Sequence, residues 1–142
     1  MKYLIDTCIV SELIAKQPNQ SVLDWVNAQP SETLYLAVIT IGEIAKGIRK
    51  LPESQRKSTL IHWLHQDLSN RFAGRIQNLD AETMLLWGNL VGSSEQQGRS
   101  LPVLDSLIAA IVLQGSFHLV TRNEKDFDGI GIAIVNPFTP QI

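Results

Sequence analysis

The chain has 142 residues, 44% of them hydrophobic, with 12 Lys and Arg against 14 Asp and Glu, for a net charge of −2. A mean hydropathy of +0.05 and a pI near 5.9 describe a globular chain rather than a disordered one. They argue against a protein that grips nucleic acid over its whole surface. The length suits a single domain, expected over residues 1–142, with a core that needs no staples. The one cysteine, Cys8, excludes an intrachain disulfide and fits a reducing cytoplasm.

No membrane association is expected. The longest apolar run, Leu107 to Leu113, falls short of the roughly 20 residues that a spanning helix takes. The N-terminus has one Lys and a short apolar run broken by Asp6, which is not the pattern of a signal peptide.

Tyr3-Leu4-Ile5 reads as a buried strand running into Asp6. Ile9, Val10, Leu13 and Ile14 then mark a helix ending near Lys16, with Pro18 and Asn19 as punctuation. A second helix is predicted from Gln20 to Gln29, stopped by Pro30. Leu34 to Ile39 is a second buried strand, followed at once by a helix with Ile41, Ile44, Ala45 and Ile48 inward. Pro52 breaks that helix. A long amphipathic helix follows from Glu53 to Phe72, with Leu60, Ile61, Trp63, Leu64 and Leu68 as its stripe.

Arg75 to Leu79 is a short strand. The next helix opens at Asp80, with Met84, Leu85, Trp87 and Val91 inward, and the polar, glycine-bearing stretch Gly92 to Ser100 ends it as a loop. A helix opening at Pro102 is apolar almost all round to Leu113, so it is placed against the sheet. His118 to Val120 is a strand, Asn123 to Asp126 a helical turn, and Ile132 to Val135 the last strand, closed by Pro137. Strands alternating with helices predict an α/β sandwich of three layers. Its central sheet is mostly parallel, with about five strands and helices on both faces.

Ligands of such sheets bind outside the carboxyl ends of the strands. Three acids follow strands: Asp6, Glu43 and Asp126. A fourth, Asp105, opens a buried helix. Each has a local explanation. Asp6 could cap a helix, Asp105 could complement a helix dipole, and Thr40-x-x-Glu43 and Asn123-x-x-Asp126 fit capping boxes. Together, however, the four would crowd one apolar sheet edge. Carboxylates held so closely are largely protonated unless a cation is present, and hard oxygen donors suit Mg²⁺ or Mn²⁺. Such a centre can polarise a phosphoryl oxygen and activate water, so a phosphodiester is the expected substrate. Lys46, Arg49, Lys50, Arg56 and Lys57 gather 5 of the 12 basic residues, either as a solvated helix face or as a local nucleic-acid contact. Arg122 stands directly after a strand end.

The residues resemble the PIN-domain endoribonucleases of the VapC/FitB type, the toxin half of bacterial toxin–antitoxin pairs. Four segments carry the resemblance: Leu4-Ile5-Asp6-Thr7-Cys8-Ile9-Val10-Ser11-Glu12, Thr40-Ile41-Gly42-Glu43-Ile44, Leu101 through Ala110, and Val120-Thr121-Arg122-Asn123-Glu124-Lys125-Asp126-Phe127. The ending, from Gly131 to Phe138, is also FitB-like, so the likeness runs from about Tyr3 to Phe138.

The resemblance implies a PIN-like fold and a metal-dependent ribonuclease, with Asp6, Glu43, Asp105 and Asp126 around Mg²⁺ or Mn²⁺. It implies a polar residue on the site at Thr121 or Asn123, with Thr7 in support, and it leaves Arg122, Lys46 and Arg49 as RNA contacts. Cys8 stands where many relatives have Asn. A homodimer is implied, as is an antitoxin that covers the site with an inserted peptide. Operator DNA would be bound only through that antitoxin.

Other readings fit less well. Cys8 lacks the nearby arginine that a phosphatase loop needs, since the next is Arg49. His62, His65 and His118 lack zinc spacing with a further ligand. Trp25, Trp63 and Trp87 suit core or dimer interface, and Glu12 either a solvated or capping role or a contact to the metal shell through water. A haloacid-type phosphatase wants an Asp where Cys8 stands, and a receiver domain wants paired acids beside its first strand. The remaining alternative is a catalytically inactive PIN fold that serves as a protein-binding module. All four acids are intact, which argues against it.

Overall fold

The computed structural model describes residues 1–139. Five strands form one sheet: β1 (Tyr3–Ile5), β2 (Leu34–Ala37), β3 (Ile76–Gln77), β4 (His118–Val120) and β5 (Ile134–Val135). Their order is β3-β2-β1-β4-β5 and every neighbouring pair is parallel. Helices α1 (Thr7–Leu13) and α2 (Gln20–Ala28) join β1 to β2. Between β2 and β3 run α3 (Val38–Arg49), α4 (Gln55–His62), a π-helical stretch at Trp63–Leu68 and the single turn α5 (Ser69–Arg71). An antiparallel hairpin of α6 (Ala81–Gln96) and α7 (Val103–Gly115) leads to β4, and a 3₁₀ turn at Glu124–Phe127 leads to β5.

The chain fills the sheet outward from β1 to β3, then crosses to the other side of β1. Strand order therefore reverses between β1 and β4, where Leu4 pairs with Leu119 and Ile5 with Val120. That reversal opens a crevice at the carboxyl ends of these two strands.

Alternation along each strand divides the core in two. Ile5, Leu34, Leu36 and Val120 pack with α1 through α5, against Ile9, Val10, Val26, Ile44 and Leu60. Leu4, Ala37 and Leu119 face the other way, onto Ile108, Ala109, Ile111 and Val112 of α7. The three-layer arrangement with a five-stranded parallel sheet is thus the one expected from the sequence.

Three local expectations need correction. Strand β2 ends at Ala37, so Val38 and Ile39 already belong to α3. Thr40 lies inside that helix, fully buried, and Ala37 at the N-cap offers no side-chain cap. The capping-box reading of Thr40 and Glu43 is therefore wrong.

Second, α6 does not stop at Gly92 but runs to Gln96. A glycine inside a helix costs only about 1 kcal/mol. The terminator is Gly98, with φ at +78°. Its N–H donates to Glu95 O at 3.0 Å and that of Arg99 to Ser94 O at 2.8 Å, the paired bonds of a glycine-ended helix.

Third, Met84 and Leu85 point outward, 38% and 72% exposed. Thr83, Leu86, Trp87 and Leu90 form the more buried side instead.

The long helix expected from Glu53 to Phe72 is a continuous rod from Gln55 to Arg71, capped by Ser54, whose hydroxyl accepts from Lys57 N–H at 3.1 Å. Its buried apolar residues Leu60, Leu64 and Leu68, with Phe72 just past its end, recur every four positions, whereas Ile61, expected in the stripe, is 42% exposed. In an α-helix that spacing drifts by about 40° per step. The wider π turn rotates the stripe back, so all four face the core. Phe72 is fully buried at the end of the rod. Replacing it with Ala is expected to cost about 3–5 kcal/mol in urea unfolding. A loss within about 0.5 kcal/mol, the range of ordinary surface changes, would remove Phe72 as the anchor of the rod.

A candidate metal centre at the carboxyl edge of the sheet

Asp6 leaves β1 and enters the crevice beside β4. Its Oδ1 accepts from Thr7 N–H at 2.8 Å, so it is the N-cap of α1. Its Oδ2 accepts from the Thr121 hydroxyl at 2.8 Å. Capping and site roles thus fall on one side chain. Thr121 follows β4, is fully buried, and also accepts from Asn123 N–H at 3.1 Å.

Glu43 stands on the second turn of α3, where the Thr7 hydroxyl donates to its Oε1 at 2.6 Å. Thr40 lies beneath, its hydroxyl 3.3 Å from that of Thr7. Sequence reasoning gave Thr40 only a capping role. Its position three residues before Glu43, on the same helix face, was the available signal for a place under the site.

Asp105 is on the first turn of α7 and Asp126 on the 3₁₀ turn after β4. Asn123 makes no side-chain cap there, so the second capping-box reading also fails. Neighbouring acids act on two of the four, Asp6 and Asp105. Burial first, then the charges of Glu43 and Asp126, raise the Asp6 carboxyl above its ordinary value. Asp105 is raised by burial and then by Asp126, Asp6 and Glu43. In both, the charged form is disfavoured by lost hydration and by like charges nearby.

As the side chains stand, no group of three or more His, Cys, Asp and Glu among the described residues is close enough to share a metal ion. Two of the acids are turned onto hydroxyl groups, and repulsion favours separation. The donor chemistry nevertheless fits a hard cation: four carboxylates with threonine hydroxyls beside them. Cys8 is no rival donor or nucleophile. Its thiol is pushed up by burial, and its Sγ accepts from Arg122 N–H at 3.5 Å and lies 3.6 Å from the Thr121 hydroxyl. Glu12 is a capping acid, its Oε1 accepting from Asn19 N–H at 3.0 Å.

The basic cluster is smaller than the sequence implied. Lys57 is buried, its Nζ donating to Arg49 O, Leu51 O and Glu53 Oε1 at 2.9–3.1 Å. Arg56 donates to Ile14 O at 3.0 Å. Both tie the rod to its neighbours. Lys46, Arg49 and Lys50 remain exposed on α3. Arg122 is also exposed, its guanidinium 4.7 Å from the Phe138 ring centre, beside a hollow of about 360 Å³ that Asn123 and Asp126 also line.

A parallel sheet with a buried acid at its switch point and further acids on the adjoining elements defines a class of α/β proteins with an acidic edge. Comparison with known proteins is specific. The PIN domain model matches residues 3–132, and the chain belongs to the PIN-domain family. It is 36% identical over 135 residues to the plasmid stability protein StbB of Pseudomonas syringae pv. tomato, covering 95% of this chain and 97% of that one. It is 31% identical over 137 residues to the VapC ribonuclease Y4jK of Sinorhizobium fredii, covering 96% and 98%. The crystal structure of FitAcB from Neisseria gonorrhoeae superposes with a TM-score of 0.90 at 30% identity, over 96% of this chain and 98% of that one. A structure of FitAB bound to an IR36 DNA fragment superposes at 0.91 and 28% identity, over 99% and 98%.

Thr121 joins the two strand ends through one hydroxyl. Thr121→Val keeps the shape but leaves Asn123 N–H and one Asp6 oxygen without this partner. With chelator present, it is expected to cost about 1–3 kcal/mol in urea unfolding. Unchanged stability would mean that the hydroxyl does not hold the crevice together.

Proposed function

We propose that the chain is a Mg²⁺- or Mn²⁺-dependent endoribonuclease and the toxin half of a toxin–antitoxin pair, acting in the cytoplasm as a single domain. The observation that carries this reading is geometric: Asp6 ends β1, Glu43 accepts from the neighbouring Thr7 hydroxyl, and Asp105 and Asp126 stand on the first turn of α7 and the turn after β4. Membership of a family with a named VapC ribonuclease supports it. Asp6, Glu43, Asp105 and Asp126 would hold the ion. When bound, the ion supplies Lewis-acid polarisation of the phosphodiester and of the attacking water.

The chain's own residues do the positioning. Thr7 fixes Glu43, Thr121 orients Asp6, and Asn123 lines the hollow beside Asp126. Arg122 is set for a phosphate at the rim, steadied over Phe138. Lys46 and Arg49 would follow the RNA backbone along the exposed face of α3.

The antitoxin has a plausible path on the same face. A groove of about 190 Å³ starts at Thr7 and Glu43 and passes Gly47, Ile14 and Leu60. Ile14 and Leu60 also line a larger cleft of about 480 Å³ against Trp63. A partner peptide laid there would end on the carboxylates. Operator DNA would be reached through that partner, as the complex of FitAB with DNA suggests. None of the described helices is long and apolar enough to cross a membrane.

The other face suits a second copy. Met84, Leu85, Val103 and Leu104 expose 38–72% of their surface on the α6–α7 hairpin, and exposed apolar patches mark contacts. Light scattering at micromolar concentration is expected to give twice 15.8 kDa. A monomer mass would count against the dimer.

Asp6→Asn and Asp105→Asn each remove one charge from the acidic cluster. With chelator, Asp105→Asn is expected to melt level or higher, because a repelled, desolvated charge is gone, whereas Asp6→Asn also gives up charge-assisted hydrogen bonds and is expected to melt level or lower. The gain on adding Mn²⁺ should shrink. RNA cleavage should fall and partly recover at high Mn²⁺. Full cleavage with an undiminished Mn²⁺ shift in both variants would overturn the reading. A wild type that binds its partner but never cleaves would favour the binding-module alternative.

A further inference from the structure

Asp6 and Glu43 are each held by hydroxyl or amide donors. Asp105 has no such donor among the described residues, and only burial and neighbouring charges act on it. Its place is therefore set by the first turn of α7. That turn is poorly fastened by the usual means. Pro102 stands at the N-cap and offers no side-chain hydrogen bond. Val103 and Leu104 are 63% and 44% exposed, so packing does not clamp them.

What fastens the turn is the residue after Asp105. Ser106 is 1% exposed. Its hydroxyl donates to Val103 O at 2.7 Å and accepts from the Trp87 indole N–H at 2.9 Å. An indole N–H is a donor only, and a buried hydroxyl can donate and accept at once. The three groups thus form a one-way relay from α6 into the turn that bears Asp105. The other cross-link of the hairpin, Gln114 to Glu82 at 2.9 Å, is exposed and far from the site.

We propose that Trp87, acting through Ser106, is a positioning residue for Asp105. It ties the uncapped first turn of α7 to α6 and so sets where the carboxylate meets the other three. This inference rests on the metallonuclease reading. Geometry of this kind matters because a misplacement of about 1 Å can cost on the order of 100-fold in rate.

The test uses Trp87→Phe, which keeps an aromatic ring and deletes the N–H, and Ser106→Ala, the smaller change, alone and combined. Amide hydrogen exchange in chelator reads the turn itself through Ser106 N–H, which donates to Pro102 O at 2.9 Å, and through Leu107. Both amides should exchange faster in each variant. The Mn²⁺ concentration for half-maximal cleavage should rise, and kcat should fall about tenfold with KM for RNA little changed. The double variant should match Ser106→Ala, because the groups act in series.

Unchanged exchange in both single variants overturns the anchor. Faster exchange with unaltered kcat and Mn²⁺ dependence overturns its role at the site. A purely structural role would lower melting and leave those two readouts alone. Failure of the metallonuclease reading appears in the wild type, as no cleavage and no Mn²⁺-induced shift. Failure of this inference appears only in the variants.

Discussion

The carboxylate of Asp6 is the point on which the structure turns. It is 6% exposed, and both oxygens are engaged, one by the first amide of α1 and one by the hydroxyl that follows β4. Hydrogen bonds to a charged group are each worth about 1.5–3 kcal/mol. They offset part of the burial, which still leaves the carboxyl raised above its ordinary value. The same two bonds join the start of α1 to the end of β4, with Asp6 N–H also donating to Val120 O at 2.9 Å. Strand order makes this possible, because β1 and β4 are neighbours only after the chain has crossed over β1.

Three further acids arrive from three separate elements, and among the described residues no hydrogen-bond donor takes up the charge of Asp105. That imbalance is the strongest physical argument for a cation. It also accounts for side chains that face one another without converging within reach of one ion. Threonine hydroxyls take up part of the charge, through Thr7 on Glu43 and Thr121 on Asp6.

The two faces of the sheet differ in what they leave open. On the face with α1, α3 and α4, one groove starts at Thr7 and Glu43, and a second cleft runs along the rod beside Ile14 and Trp63. Lys57 and Arg56 are engaged in tying that rod down, while Lys46 and Arg49 of α3 stay exposed. On the face with α6 and α7, apolar side chains stand exposed beside the helix that carries Asp105. The grooves and the exposed apolar side chains thus lie on different faces, and the Trp87–Ser106 bond ties α6 to the turn of α7 that carries Asp105.

The strand–helix alternation, the buried character of α7 and the four acids were legible in the sequence, because hydrophobic periodicity and chain order are local properties. Tertiary structure alone decided the rest. It ended β2 at Ala37, since apolar residues fit a strand or a buried helix equally well. It carried α6 past Gly92, because packing outweighs a small propensity cost. It buried Lys57 and Thr40, and it set Ser106 against Trp87. Each of these depends on which distant segment lies alongside, and a sequence read locally holds no record of that neighbour.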